Sequence, residues 1–224
     1  QDPQSVYEDE TKNPKEVLAE FQNVKAKMDH LEKQSEQYSH YQRLFNITVY
    51  EYKNLKETQQ VFDLRRQLWE TLDNWNERYR FFDEGDEGDF LKIHVEEMSQ
   101  EVAIFFKDAY MLHKKVNNTV SNLLKDKILE FKGVLPTVMD LGNPNMKPRH
   151  WEMVFKELDQ PYFSSASFCL NDLRNYDVFN PKFKDSIGSI SATASGEAQL
   201  EASLKKVAAV WDKMQFELIN HRDM

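Results

Sequence analysis

The amino-acid sequence predicts an all-α protein, an elongated multi-helix bundle built from long amphipathic helices. Only six Gly and seven Pro occur in 224 residues, and charged residues make up 30% of the chain. Both features are typical of long helices with solvated outer faces. Apolar residues also recur every three or four positions over most of the chain, which is the spacing of one helical face. We therefore expect several long helices with few connections.

The first helix is predicted to begin at Asn13-Pro14, because Asn caps helices and Pro fits the first helical position. Residues 1–13 before it are polar and acidic and read as an extended or frayed lead. The aromatic-rich run 41–52 fits either a kink or a short connector, and the pattern leaves both open. A second long helix follows; its stripe contains Val61, Leu64, Leu68, Leu72, Trp75, Tyr79 and Phe82.

The acidic run 83–89 ends this second helix and superficially resembles a calcium loop. Its spacing does not match the alternating ligands of an EF-hand, so we interpret it as a solvated turn. A third helix is then predicted from Phe90 to Phe131, with a length of about 60 Å. His94 and His113 on it have no second ligand three or four residues away, which disfavours metal binding.

The segment 132–158 holds five of the Gly and Pro residues, yet it is also rich in apolar residues. It is therefore predicted to be a packed corner and not a flexible linker. Gly133 is expected to end the third helix, and Pro136 to lie in the first turn of a short helix. Gly142-Asn143-Pro144 reads as a turn, and Asn145 as the cap of the next helix, with Pro148 in its first turn.

The Arg149-His150-Trp151 sequence opens that helix. Trp151 is predicted to anchor the corner, because it shares a helical face with Val154, Phe155 and Leu158. Arg149 is expected to bond nearby carbonyls or a carboxylate through its planar guanidinium. A catalytic role for His150 is disfavoured, since no nucleophile or second acid is near it in sequence.

The last part of the chain is predicted to contain a short helix over 165–176 and a long helix that begins at Asn180-Pro181. An apolar stripe of the long helix needs partner helices on its surface. Because the sequence starts at Gln1 and stops at Met224, we read it as a piece of a longer polypeptide, in which the end of this stripe is under-covered. The stripe contains Leu200, Leu204, Val207, Trp211, Met214 and Leu218.

Composition and motifs exclude several function classes. A net charge of −9, from 29 basic and 38 acidic residues, disfavours nucleic acid or an anionic membrane as partner. No apolar run approaches the length of a membrane span, and we expect neither a membrane helix nor a signal peptide in these 224 residues. The single cysteine, Cys169, reads as a buried thiol of a reducing compartment. Phosphate-loop, metal-protease and nucleophile motifs are absent, so we expect no catalytic residue and no cofactor.

The corner closely resembles a segment of the linker region of dynein heavy chains. The matching motifs are Leu135-Pro136, Leu141-Gly142-Asn143-Pro144 and Arg149-His150-Trp151. Leu68-Trp69 and Asn74-Trp75 upstream, and the segment from Ile187 to Trp211 downstream, are similar to the same region. The resemblance covers almost the whole chain after about Asn13. The residues of the corner resemble those of axonemal dyneins more than those of cytoplasmic dyneins.

The resemblance implies that the chain is the amino-terminal part of a linker, the mechanical arm of a motor. Its partner would be the AAA+ ring of the same heavy chain, which supplies the ATP sites, and microtubules would be reached only through distant regions. The implied localisation is the cytoskeleton, with the axoneme of a cilium or flagellum favoured. Residues 1–13 would form the lead, 14–131 the long-helix bundle, and 132–224 the corner with its helical continuation.

Two other hypotheses remain open: a free-standing helical tether or adaptor, and, less favoured, an independent enzyme. The full-length sequence distinguishes these hypotheses from the linker hypothesis, because a linker must be followed by ATP-binding motifs further downstream. The structural motif that we single out consists of Leu135, Pro136, Leu141, Asn143, Pro144, Arg149, His150 and Trp151.

Overall fold

The computed structural model describes residues 7–85, 89–163 and 167–215. In these ranges the chain is all-α, as predicted, and forms a multi-helix bundle without β-strands. Parts of the predicted lead (1–6), the centre of the acidic run (86–88), Ser165 and Leu218 lie outside the described residues. The helices are α1 (Pro14–Leu44), α2 (Lys53–Glu84), α3 (Val95–Val116), α4 (Thr119–Leu141), α5 (Pro148–Glu157), α6 (Leu170–Asn175) and α7 (Pro181–Trp211), with a 3₁₀ turn at Phe90–Lys92.

The two Asn-Pro pairs begin helices α1 and α7, which confirms both predicted start sites. Asn13 Oδ1 accepts a hydrogen bond from Lys15 N at 3.0 Å, and Asn180 Oδ1 accepts one from Lys182 N at 3.2 Å. Each bond satisfies a backbone N–H that has no partner inside the helix. Because α1 ends at Leu44 and α2 begins at Lys53, the run 41–52 includes a connector, and α1 and α2 form a helical hairpin.

The prediction of one helix from Phe90 to Phe131 is wrong. The chain breaks at Asn117, whose φ of 44° lies in the left-handed region that Asn tolerates better than most residues. Asn118 then caps α4: its Oδ1 accepts from Ser121 N at 2.9 Å, while Ser121 Oγ accepts from Asn118 N at 3.0 Å. This reciprocal capping box starts a new helix. Helices α3 and α4 therefore pack side by side and do not form a single rod.

Helix α4 also runs through the residues that were expected to end it. Gly133 and Pro136 both lie inside the helix, which ends only at Leu141. Pro in a helix interior costs about 3 kcal/mol, because it removes one hydrogen bond and crowds the preceding turn. Burial of Phe131, Val138 and Leu141 against the core offsets this cost. Tertiary packing overrides local propensity in this segment.

The core lies between α2, α3 and α4, and it contains two buried tryptophans. Trp69 Nε1 donates a hydrogen bond to Tyr7 O at 3.1 Å, which ties the start of the described chain to α2. The ring of Trp75 packs edge-on against Phe105 and Phe131, at centroid distances of 5.4 and 5.8 Å. No helix in the described ranges is long and apolar enough to cross a membrane.

The smaller helices pack around this core. Helix α6 packs on α2, and α7 packs on α4 and α5. The short helix that was predicted over 165–176 is only Leu170–Asn175 in the structure. The residues before it are held by a hydrogen bond from Phe90 N to Phe168 O of 2.8 Å, a non-helical contact that shortens α6.

Candidate functional site

The corner between α4 and α5 begins with a glycine that a neighbouring helix requires. A Cβ added to Gly142 would lie 2.2 Å from Cγ1 of Val95, the first residue of α3. Such a contact is far inside van der Waals distance, so a larger residue would force the two segments apart. The end of α4 can therefore approach the start of α3 only because residue 142 has no side chain.

The side-chain amide of Asn143 fastens the corner to α7. Its Nδ2 lies 2.9 Å from Ser191 O, 2.9 Å from Ser191 Oγ and 2.8 Å from Ser195 Oγ. Its Oδ1 accepts a hydrogen bond from Asn145 N at 3.0 Å. The prediction that Asn145 caps α5 is wrong, because the helix begins at Pro148 and Lys147 occupies the cap position. The neighbouring Pro144 is exposed.

His150 is buried, with only 1% of its surface exposed, and both ring nitrogens are engaged. Nδ1 accepts a hydrogen bond from Lys147 N at 3.0 Å, which is the role that a glutamate takes in a capping box. The proton must then be on Nε2, which donates to Glu197 Oε2 at 3.0 Å. His150 therefore supports the start of α5 on one side and contacts α7 on the other.

Two more basic residues, the cap residue Lys147 and Arg149 of α5, contact the same face of α7. Arg149 pairs with Glu197, and Lys147 pairs with Glu201. Arg149 Nη2 also lies 3.8 Å from Glu201 Oε1. We call Lys147, Arg149, His150, Glu197 and Glu201 the α5–α7 ion cluster. The expected carboxylate partner of Arg149 is confirmed. The guanidinium contacts it through Nη2 alone and forms no bidentate pair.

The pKa values of both glutamates follow from this arrangement. The hydrogen bond from Arg149 holds the pKa of Glu197 below its ordinary value of 4.5, with His150 adding to the effect. The hydrogen bond and charge of Lys147 lower the pKa of Glu201 in the same way. Both carboxylates are thus stabilised in their charged form by α5.

Trp151 is buried at the centre of the corner, as predicted, with 2% of its surface exposed. Its ring lies 4.8 Å from that of Phe168 and 6.5 Å from that of Phe90, centroid to centroid. Val154 and Phe155 on the same face of α5 are buried with it. Trp151 therefore joins α5 to the 3₁₀ turn and to the segment before α6.

The remaining motif residues lie along α4. Leu141 is fully buried at the end of the helix, Leu135 is half-buried, and Pro136 faces solvent about one turn before Leu141. The structure thus brings Leu141, Asn143, Arg149 and the two residues after it into one corner, with Pro136 at its edge. The sequence motifs did not predict the partners of Asn143 and Arg149 on α7. The i, i+4 spacing of Ser191 with Ser195, and of Glu197 with Glu201, places each pair on one helical face and was the only local indication of a contact surface.

The corner is a packed junction between helices. The histidine has both nitrogens occupied, and its neighbours are paired ions and packed aromatic rings. In the part of the chain that the structure describes, no group of three His, Cys, Asp or Glu side chains is placed to hold a metal ion. The arrangement connects the end of α4, the start of α5 and α7 through hydrogen bonds and ion pairs.

The second half of α7 leaves the bundle with an exposed apolar surface. All residues from 202 to 211 are exposed, although the first half of the helix buries Ile187, Ile190 and Ala194. The expectation that the end of the apolar stripe is under-covered is confirmed at Met214. The expectation that partner helices cover the earlier part of the stripe is wrong, because its side chains from Leu200 to Trp211 are exposed too. Their exposed fractions are 66% for Leu200, 67% for Leu204, 52% for Val207, 60% for Trp211 and 57% for Met214.

Comparison with known proteins shows the family of this chain. The family model "Dynein heavy chain, N-terminal region 2" matches residues 55–224. Human dynein axonemal heavy chain 6 is 31% identical over 225 residues, and human dynein axonemal heavy chain 2 is 28% identical over 184 residues. The dynein-1-beta heavy chain of the flagellar inner arm I1 complex of Chlamydomonas reinhardtii is 27% identical over 181 residues.

These alignments cover 100%, 80% and 80% of this chain, but only 5%, 4% and 4% of the respective relatives. The chain therefore spans about one twentieth of the length of the heavy chains that it matches. The family match extends from the start of α2 through the corner and along α7. The chain therefore belongs to the dynein heavy chain family, as part of its N-terminal region 2.

Proposed function

We propose that this chain is a mechanical lever, the amino-terminal part of the linker of a dynein motor. In this proposal it bends and straightens over the AAA+ ring of the same heavy chain and transmits the ATP-driven stroke. Its membership of the dynein heavy chain N-terminal region supports this role. Names of relatives that include "axonemal" and "flagellar" favour the axoneme as its location.

The observation that carries the proposal is the way the corner joins α7 to the bundle. A lever must resist bending along its length and must be fastened firmly where it changes direction. Helices of 31 and 32 residues supply length, about 46 to 48 Å each. The Asn143 amide, the buried Trp151 and the α5–α7 ion cluster supply the fastening.

The proposal assigns no chemistry to this chain. ATP would be bound and hydrolysed by the ring, and microtubules would be held by regions far from these residues. We therefore expect calorimetry of the isolated chain with ATP and magnesium to give no binding heat. Stoichiometric binding at micromolar concentration would contradict this part of the proposal.

A substitution in the corner tests the lever role in the whole heavy chain. Trp151→Ala should slow microtubule gliding, because force would pass through a loosened joint, while microtubule affinity should stay at the wild-type level. Glu157→Gln, an exposed change at the far end of α5, is the matched control and should leave both unchanged. If a folded Trp151→Ala motor moves at wild-type speed, a passive tether becomes the better description.

A further inference from the structure

The charged residues at the start of α5 are basic, although a helix N-terminus favours acidic residues. A helix N-terminus carries partial positive charge and favours acidic residues in its first turn. Helix α5 has no acidic residue in that turn and instead has Lys147 and Arg149, with His150 beside them. The approach of Glu197 and Glu201 from α7 compensates for this arrangement. These basic residues therefore stabilise the contact between α5 and α7 and do not stabilise the N-terminus of α5.

The ion cluster is the last fastening on α7. Along the helix, burial of Ile187, Ile190 and Ala194 comes first, and the contacts of Asn143 with Ser191 and Ser195 overlap with it. The cluster at Glu197 and Glu201 follows, and from residue 202 to residue 211 every side chain is exposed. The direction in which the free half of α7 leaves the bundle is thus set at this point.

A glycine lies between these two attachments. Gly196 is inside the helix and is exposed, and a Cβ at this position would meet no atom within 4 Å apart from its chain neighbours and the backbone of its own helix. Packing therefore does not require a glycine at this position. Gly also weakens a helix interior more than any residue except Pro, because it has more backbone freedom to lose. The helix is consequently easiest to bend between Ser195 and Glu197.

We infer that the α5–α7 ion cluster is a releasable latch, that Asn143 is the fixed point beside it, and that Gly196 is the hinge. Closed, the latch fixes the direction of α7; open, it lets the helix swing from Gly196 onward. The part of α7 that is not attached to the bundle is about 15 Å long when the latch is closed and about 24 Å long when it is open. The inference concerns this joint alone and holds whether or not the chain acts as a motor lever.

The ion pairs of the latch are open to solvent, whereas its third contact, the hydrogen bond from His150 to Glu197, starts from a buried ring. The side chains of Arg149 and Glu197 are 53% and 36% exposed, and those of Lys147 and Glu201 are 40% and 45% exposed. Exposed ion pairs contribute little and are screened by dissolved salt. Buried packing at Ile187 and Ile190 is not screened, so the first half of α7 stays in place when the latch opens.

The test measures the distance between two spin labels on the 224-residue chain with Cys169→Ser as background. One label is attached at Lys156→Cys on α5 and the other at Ala209→Cys on α7, both of which are exposed positions. At low salt we expect one narrow distance distribution. It should widen as salt rises from about 0.1 M to about 1 M, because the Debye length falls from about 10 Å to about 3 Å.

Variants separate the latch from the hinge. Glu197→Gln with Glu201→Gln should lose the single narrow peak even at low salt, and Glu157→Gln, the control, should keep it. Adding Gly196→Ala to the double variant should narrow the distribution again, because the hinge is stiffened. A double variant as narrow as wild type, with no effect of salt, would show that packing alone directs α7.

Two other results would also overturn the inference. If Gly196→Ala leaves the distribution of the double variant wide, the hinge is not at Gly196. If the double variant loses helical circular dichroism, α7 unfolds and does not swing. Neither readout involves ATP or microtubules, so this test and the test of the lever role fail independently.

Discussion

At the scale of single residues, Trp151 is the place where three segments of the corner meet. It contacts Phe90 of the 3₁₀ turn and Phe168 before α6, and it lies on α5 itself. Its burial could be predicted, because Val154 and Phe155 share its helical face. The contacts of Asn143 with Ser191 and Ser195 could not, since they join residues 48 and 52 positions apart. Local patterns carry no information about such distant pairs.

Truncation of Trp151 should destabilise the chain strongly. We expect Trp151→Ala to lower the free energy of unfolding by about 3–5 kcal/mol, because apolar transfer energy is lost and a cavity remains. Denaturant titration followed by circular dichroism measures this change. A variant that unfolds at the wild-type midpoint would contradict the central position of this side chain.

The two glycines of the α4 region should respond in opposite directions to the same change. Gly142→Ala should lower the free energy of unfolding by about 1–3 kcal/mol, because the new Cβ overlaps Val95. Gly133→Ala, in the helix interior with free space around it, should raise it by about 0.5–1 kcal/mol. Combining Gly142→Ala with Val95→Ala should recover part of the loss; equal effects of the two single changes would refute the close approach.

The ion cluster predicts how stability depends on pH. The pKa values of Glu197 and Glu201 are lowered in the folded chain, chiefly by hydrogen bonds from Arg149 and Lys147. A lowered folded-state pKa contributes stability above the ordinary value of 4.5, and this contribution is lost as the pH falls through the lowered values.

We therefore expect the free energy of unfolding to fall below about pH 4.5, and to fall less steeply in Glu197→Gln with Glu201→Gln. Denaturant midpoints measured from pH 6 down to pH 3, in wild type and variant, give the difference between the two slopes. Other carboxylates contribute equally to both proteins and cancel. Identical slopes would mean that the cluster does not stabilise the fold.

At the scale of helices, the two Asn-Pro pairs predict helix starts correctly, whereas Pro136 and Asn145 do not start or cap a helix. Asn followed by Pro predicted the beginnings of α1 and α7, because a cap and a compatible first residue act locally. Gly133 and Pro136 predict a helix end and a helix start, yet α4 continues through both. The break at Asn117 cannot be predicted from periodicity, because a left-handed Asn ends a helix without disturbing the spacing of its apolar residues.

The free half of α7 should be the least protected long helical segment of this chain. Its apolar side chains are exposed, so its backbone hydrogen bonds are not shielded by packing. We expect amides of residues 202–211 to exchange faster than those of α2, and to slow down in a longer stretch of the heavy chain or on self-association. Equal protection in both proteins, in a chain that stays monomeric at high concentration, would show that this stripe needs no partner.

At the scale of the whole molecule, the fold class followed from the rarity of Gly and Pro together with helical periodicity. The order of packing did not, because it depends on which helices turn back on one another. The single break at Asn117 changes a rod into a pair of packed helices and brings α3 beside α4. The corner is the feature on which sequence motif, structure and family match coincide, and it is where α7 is directed away from the core.

The lever role is tested most directly by the distance between this chain and the ring in the complete heavy chain. A fluorophore at Glu51→Cys, in the exposed connector between α1 and α2, and a second one on the AAA+ ring would report it molecule by molecule. The lever proposal predicts two distances whose populations exchange between the ATP-bound and nucleotide-free states. One distance that stays the same in every nucleotide state would contradict it.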